Sequence, residues 1–381
     1  MIINDKLDRA LNQGLLRKIC CPICLSTLFH TCSSDEMDHL SCRSCNSTFI
    51  VDDRLPVLLI DDENWRKKKD EIDGEVVYNK KVIPPEVHEE RNAFVDHNTA
   101  MFLSDSRTNL SNDDVLIVGC SFAELEFFHK QCRRVVSLDI VPSLVKDCLN
   151  ATRHRKIPAE WVCGDGEYLP FEDETFDSVI VRQTLHHMLK YYSAICEFFR
   201  VCKRGGNVLL IDEPYSPASR DDLTFLQIPD HFPVYDKLEF KNIRKELNLP
   251  RSSSSDPTPK VDFKQLEVTS SYIEPDTANP ESFLADKYLS FSLLNCIHAL
   301  RLHTDDFKLF WPLETAWTDE SSGFVRFCHG PDPNYKKPLI KKLTSQGNVS
   351  VAARKSARTT IFRDRSSLRA LPVHMAVEMT R

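Results

Sequence analysis

Residues 115–128 read VLIVGCSFAELEFF. An apolar run, Val115 to Val118, is closed by Gly119 and followed by a helical stretch. That is the pattern of a strand, a tight turn and a helix, the unit that opens a nucleotide-binding α/β domain. Most of the glycines expected in such a turn are missing. The loop is therefore either a variant that still admits a cofactor or one that has lost that role.

Working outward, four more short runs rich in Val, Ile and Leu follow at helix-length intervals: RVVSLDI (134–140), AEWVC (159–163), FDSVIVR (176–182) and NVLLIDE (207–213). Continuous apolar runs alternating with helices predict a parallel sheet covered on both faces. A helical pattern over 86–103 precedes it. FKLFWPLETAW (307–317) and GFVRFCHG (323–330), joined by a polar turn around Asp319 to Ser322, predict an antiparallel hairpin at the sheet edge. The fold class is thus α/β, a Rossmann-like doubly wound sheet, mostly parallel with an antiparallel edge.

The chain has 381 residues, 41% hydrophobic and 28% charged, the balance of a soluble protein with room for one large domain and a smaller module. The longest apolar candidate, Tyr288 to Leu300, is too short to span a bilayer and carries Asn295 and His298, so it reads as a buried helix. The N-terminus places charges where a secretory signal needs an apolar core, which predicts a cytoplasmic location without a transmembrane segment. Pro331 to Arg381 holds eleven Lys and Arg against three Asp and Glu, a local charge of +8 that leaves −15 on the preceding 330 residues. An acidic body disfavours a nucleic-acid substrate gripped by the core, while the basic tail is expected to be disordered and solvated.

Six of the 14 cysteines precede residue 46. Cys21-x2-Cys24 and Cys42-x2-Cys45, seventeen residues apart, have the spacing of two metal knuckles, each presenting two thiolates from one tight turn. A structural zinc ion is the expected occupant; a dithiol redox pair or adventitious cysteines are the competing readings. Cys20 and Cys32 are spare. The expected organisation is a zinc-ribbon domain at 1–62, a charged linker at 63–85, a cofactor-binding core at 86–214, a lid or substrate insertion at 215–305, final core strands at 306–330 and a basic tail at 331–381.

Two resemblances follow from these motifs. Residues 1–62, through Val51-Asp52-Asp53-Arg54-Leu55-Pro56-Val57-Leu58, resemble the zinc-ribbon activator subunits of tRNA and release-factor methyltransferases, with Arg54 where glycine or another residue is usual. Residues 113–213 resemble the class I S-adenosylmethionine-dependent methyltransferases of the group that includes the quinone C-methyltransferases. The segments that carry the likeness are Gly164-Asp165-Gly166-Glu167-Tyr168-Leu169-Pro170-Phe171, Phe176-Asp177-Ser178-Val179, Leu185-His186-His187 and Arg200-Val201-Cys202-Lys203-Arg204-Gly205-Gly206.

The resemblance implies a cofactor site of Gly119, Asp139 and Ile140 at the end of the second strand, Gly164, Asp165 and Gly166 after the third, and Gln183 after the fourth. Asp139 would accept from the ribose hydroxyls and Asp165 from the adenine amino group. Thr184 would lie near the amino-acid end. His186 is a candidate base, as is His187; the competing reading is structural, since in this family the paired histidines also close the helix after the fourth strand. The family's first loop begins with an acid and carries three glycines; here Ile117 stands for the acid and Ser121 and Ala123 for two glycines. Losing the acid removes one charge-assisted hydrogen bond, a contribution of about 1.5–3 kcal/mol. Glu124 and Glu126 are candidates to replace the missing acid, although both are expected to face solvent from the helix. A nicotinamide dehydrogenase would need G-x-G-x-x-G, which this loop lacks.

The leading functional expectation is transfer of a methyl group to a small-molecule or lipid-like acceptor. The alternatives are an RNA or protein methyltransferase, suggested by the zinc module and basic tail, and a non-catalytic binding module suggested by the altered loop. A protein partner would dock through the zinc ribbon.

Overall fold

The computed structural model describes residues 14, 16–32, 38–61, 96–119, 122–188 and 190–216, and then 291–292, 296, 299–300, 303–304, 306–310, 317–319, 324–326 and 347–356. The expected linker at 63–85, nearly all of the expected lid, Ser121 and most of the basic tail lie outside these residues.

The stretch at 115–118 is the middle of the sheet. Strand β5 (Asp114–Val118) lies between β6 (Arg134–Asp139) and β8 (Phe176–Arg182), parallel to both, and β7 (Ala159–Gly164) and β9 (Cys202–Ser216) continue the parallel set outward. Alternate residues of each strand feed opposite faces, as strands buried on both sides require. Leu116, Val118, Val179 and Val181 pack on one side with Ile195, Phe198 and Phe199 of helix α3 (Tyr191–Val201). Val115, Ile117 and Ile180 pack on the other with Leu125 and Phe128 of α1 (Phe122–Phe128), Val145 of α2 (Pro142–Arg155) and Phe102 of a helix over 96–105. The order of the strands reverses between β5 and β8, and in open α/β sheets the crevice for a ligand lies outside the carboxyl ends at such a point.

Three expectations change here. The strand expected to pair back in a hairpin, β11 (Phe307–Phe310), instead pairs antiparallel with β14 (Gly347–Arg354), and β14 pairs antiparallel with β9. Among the described residues the hairpin is β12 (Trp317–Asp319) with β13 (Phe324–Arg326), in a separate two-stranded sheet. Secondly, β14 sits inside the segment expected to be a disordered tail. Val349, Val351 and Ala353 alternate into the core at 0–2% exposure, so period-2 apolar spacing outweighs the local positive charge. Thirdly, the end of the expected lid is core: β10 (Phe291–Ser292) pairs with β9, and Cys296, Ala299 and Leu300 are buried. The buried character expected for 288–300 holds at these residues.

The cysteine module joins the main sheet. Its strands β1 (Leu28–Cys32), β2 (Asp38–Cys42), β3 (Thr48–Asp52) and β4 (Leu55–Leu58) form an antiparallel meander, and β4 pairs in parallel with β7, so one sheet of twelve strands runs through both. Asp53 and Arg54 make the two-residue turn between β3 and β4 with φ of 47° and 68°. Such a hairpin turn needs positive φ at both centres, which is why glycine is common at the second. The turn is held against α2 by Arg153, whose guanidinium donates to the Asp53 carboxylate at 2.6 Å and to its carbonyl at 2.8 Å. Arg54→Gly is expected to raise stability by about 0.5–1 kcal/mol, the left-handed penalty less the added freedom of the unfolded chain. Denaturant unfolding of the full chain checks it, and a lower midpoint would count against this account of the turn.

Among the described residues no helix is long and apolar enough to cross a membrane.

Candidate functional site

The turn after β5 is built around Gly119. Its φ is +74°, its amide donates to the Leu138 carbonyl at 2.8 Å, and a side chain there would collide with Thr184. Glycine is therefore required twice over, by the left-handed backbone and by the approach of Thr184 from the end of β8. Thr184 Oγ1 donates to the Arg182 carbonyl at 2.8 Å and lies 3.3 Å from the Gly119 carbonyl, which ties the two turns flanking the crevice together. Ala123, one of the two glycine substitutes, lies in α1 and has no positive φ. A methyl group at that position costs no backbone strain.

The acids stand at the neighbouring strand ends. Asp139 closes β6, opposite Cys163 of β7, and its Oδ1 accepts from the Val141 amide at 2.9 Å at the start of α2. Ile140 follows it, half-buried. Asp165 leaves β7 and caps a 3-10 turn over Gly166–Tyr168, its Oδ1 accepting from the Glu167 amide at 2.9 Å. Gly164 and Gly166 have no positive φ; their lack of side chain makes room for Leu138 and Pro170 in the first case and for Val118 and Met188 in the second. Gln183 follows β8 with φ of +46°, and its Nε2 donates to Asp212 Oδ2 at 2.8 Å, Asp212 itself having φ of +54°. Two strained non-glycine residues bonded to each other at a strand edge are the kind of feature that clusters at functional sites. The order β7, β6, β5, β8 thus brings Asp165, Asp139, Gly119 and Gln183 to one edge of the sheet.

Residues that the motifs did not single out complete the wall. Glu213, in β9, is fully buried. One carboxylate oxygen accepts from the Thr184 and Leu185 amides at 2.8 and 3.0 Å, and the other lies 3.4 Å from the His186 amide and 2.9 Å from His186 Nδ1. A carboxylate in that position fixes the imidazole with its Nδ1 proton toward Glu213, leaving Nε2 as the basic nitrogen. His187 lies against His186, ring centroids 4.0 Å apart. The sequence signal for Glu213 was an acid at the far end of an otherwise apolar strand, the same signal that marks Asp139.

Glu124, expected in solvent, is buried in the first turn of α1 and lies 3.0 Å from Arg182 Nε. Arg182, 6% exposed at the end of β8, also approaches Thr99 at 3.4 Å and Asp96 at 4.0 Å from the helix over 96–105. The burial of Arg182 draws Glu124 inward. Ile117 is wholly buried in the apolar layer on that side, and Glu126 pairs at the surface with Arg155 at 2.7 Å.

In the cysteine module the four knuckle thiols converge. Cys21 and Cys45 sulfurs are 3.6 Å apart, Cys24 and Cys42 sulfurs 3.4 Å, and all four lie within 4.8 Å of one another. Tetrahedral sulfur ligation at about 2.3 Å per bond gives sulfur edges of about 3.8 Å, so the set is able to hold a metal ion, and none of the four is in a disulfide. Five other described thiols are packing groups. Burial pushes those of Cys148, Cys196 and Cys202 up to about 12 and raises those of Cys163 and Cys296 as well, so they stay protonated at neutral pH.

Residues 116–210 match the model of a family described as a methyltransferase domain. A stretch similar to methyltransferase domains thus forms the parallel part of the doubly wound sheet. Among curated proteins it is similar to a demethylmenaquinone methyltransferase of Corynebacterium urealyticum, 36% identical over 64 residues, which are 17% of this chain and 27% of that protein. It is similar at 36% over 80 residues to a mitochondrial 2-methoxy-6-polyprenyl-1,4-benzoquinol methylase of Leishmania donovani, with 21% and 28% covered. The demethylmenaquinone methyltransferase of Staphylococcus haemolyticus is 30% identical over 134 residues, with 35% and 55% covered. The chain spans about a quarter to about half the length of these relatives.

Proposed function

We propose that the chain is an S-adenosylmethionine-dependent methyltransferase acting on a small-molecule or lipid-like acceptor. The observation that carries this reading is the single sheet edge where Gly119, Asp139, Asp165 and Gln183 follow four adjacent strands, within the segment that matches a methyltransferase domain. The residues fit the cofactor. Asp139 suits a ribose diol, Asp165 suits an exocyclic amine, and the Gly119 turn keeps side chains out of the space between them. When bound, the cofactor supplies an electrophilic methyl group.

What the chain contributes is orientation and, where the acceptor carries a proton, its removal. In-line displacement gains most from holding nucleophile and methyl at near-attack distance. His186, with Nδ1 held by Glu213, presents Nε2 as a base for an acceptor hydroxyl or amine. The relatives named as quinone methyltransferases support a ring or lipid-like acceptor. Zinc is the proposed ion for Cys21, Cys24, Cys42 and Cys45, in a structural role, since four thiolates leave no open coordination position.

Calorimetric titration with S-adenosylhomocysteine tests the reading. Micromolar binding is expected, and Asp139→Ala should weaken it by about 10- to 100-fold, the value of one or two charge-assisted hydrogen bonds. Ile117 in place of the acid favours a second reading, a methyltransferase fold kept as a binding module. Absence of binding to both S-adenosylmethionine and S-adenosylhomocysteine would select it.

A further inference from the structure

The cysteine module grips the loop that carries Asp165 at both ends. Just before the loop, Cys163 and Gly164 pair with Val57 and Leu58 of β4. Just after it, the Cys20 amide donates to the Pro170 carbonyl at 3.0 Å, the Glu172 amide donates to the Lys18 carbonyl at 2.9 Å, and Ile19 bridges Phe171. Cys20 adjoins the first knuckle thiol. β4 leads through β3 to β2, whose last residue is Cys42. Cys21, Cys42 and Leu58 share one buried cluster with Leu169 and Phe171. Only Asp165 to Leu169 separates the two fastenings, so the place of Asp165 follows from that of the two knuckles.

About sixty residues bury little core, and metal ligation supplies much of the folding free energy of such a unit. We propose that Lys18, Cys20 and Leu58 are positioning residues of the cofactor site, and that metal occupancy of the four thiols sets affinity for the adenine end by fixing Asp165. This rests on the cofactor reading above. The physical gain is pre-organisation: a loop already in its bound place has no ordering cost to meet on binding.

The test uses the full chain as the zinc-loaded protein, after zinc removal by a chelator, and after zinc is restored. Amide hydrogen exchange is followed at 163–172 and, for reference, at 208–211 in β9. Zinc removal is expected to speed exchange at 163–172 by about tenfold or more while leaving 208–211 protected. In parallel, S-adenosylhomocysteine and its inosine counterpart are titrated. The loaded protein is expected to prefer the adenine form; removal should weaken its binding by about tenfold and erase the preference, and restored zinc should return both.

Unchanged exchange at 163–172, a preference that survives zinc removal, or equal deprotection of both segments would overturn the proposal, the last by showing a general stabiliser. If the loaded protein bound neither ligand, the cofactor reading would fall. Exchange confined to 163–172 would then still support the positioning of the loop, and its absence would overturn it.

Discussion

Glu213→Leu is expected to destabilise the folded chain by about 3–5 kcal/mol, the cost of breaking a buried charged group away from its partners. Glu213 has no exposed surface, and its carboxylate serves the amides of Thr184, Leu185 and His186 together with the His186 ring. Leucine fills similar volume but leaves those donors facing hydrocarbon, and each buried orphan costs about 1–3 kcal/mol. The turn after β8 should then open, taking Gln183 and Thr184 from the crevice. Glu213→Gln keeps one acceptor oxygen and should cost less than half as much. Urea unfolding of the three proteins decides the matter; a leucine variant within about 1 kcal/mol of the parent would show that the turn finds other acceptors.

Arg200→Met is the second large effect, again about 3–5 kcal/mol. Arg200 is fully buried in α3 and uses all five of its N–H donors. Nε and one Nη2 proton go to the two oxygens of Glu197, both at 2.8 Å; the other three go to the Leu169 carbonyl, the Phe171 carbonyl and Asp173, at 2.9, 2.7 and 3.0 Å. Methionine would strand the Glu197 carboxylate, which is 2% exposed, and release the carbonyls of Leu169 and Phe171 and the Asp173 carboxylate. Because the stranded charge makes up most of the penalty, adding Glu197→Leu should recover part of the lost stability. A double variant no more stable than the single one would argue that the carbonyl contacts dominate. Arg200 also ties two of the sequence motifs together, since the arginine of one satisfies backbone carbonyls of the other.

Local pattern was a good guide wherever the reason for an element lay within its own few residues. The five parallel strands are continuous apolar runs, and a sheet buried on both faces leaves such runs no other place. The knuckle spacing places four sulfurs together because two tight turns constrain them. Asp139 and Asp165 stand at the carboxyl ends of strands, where each carboxylate accepts from an amide of the turn that follows. Glu124 was misjudged for a related reason: nothing near it in sequence announces Arg182, 58 positions away, whose burial draws it inward.

By itself, then, the sequence determined a doubly wound sheet, its glycine turn and a four-cysteine cluster, because hydrophobic period, strand-end acids and knuckle spacing are short-range properties. Tertiary structure alone decided that β14 leaves a positively charged segment to pair with β9, that β4 joins β7 and makes the cysteine module part of the main sheet, and that Glu213 meets His186 and Arg200 meets Leu169. Those are pairings between residues 27 to more than 100 positions apart. Their energies come from backbone ladders and buried charges that exist only once the distant partner is in place.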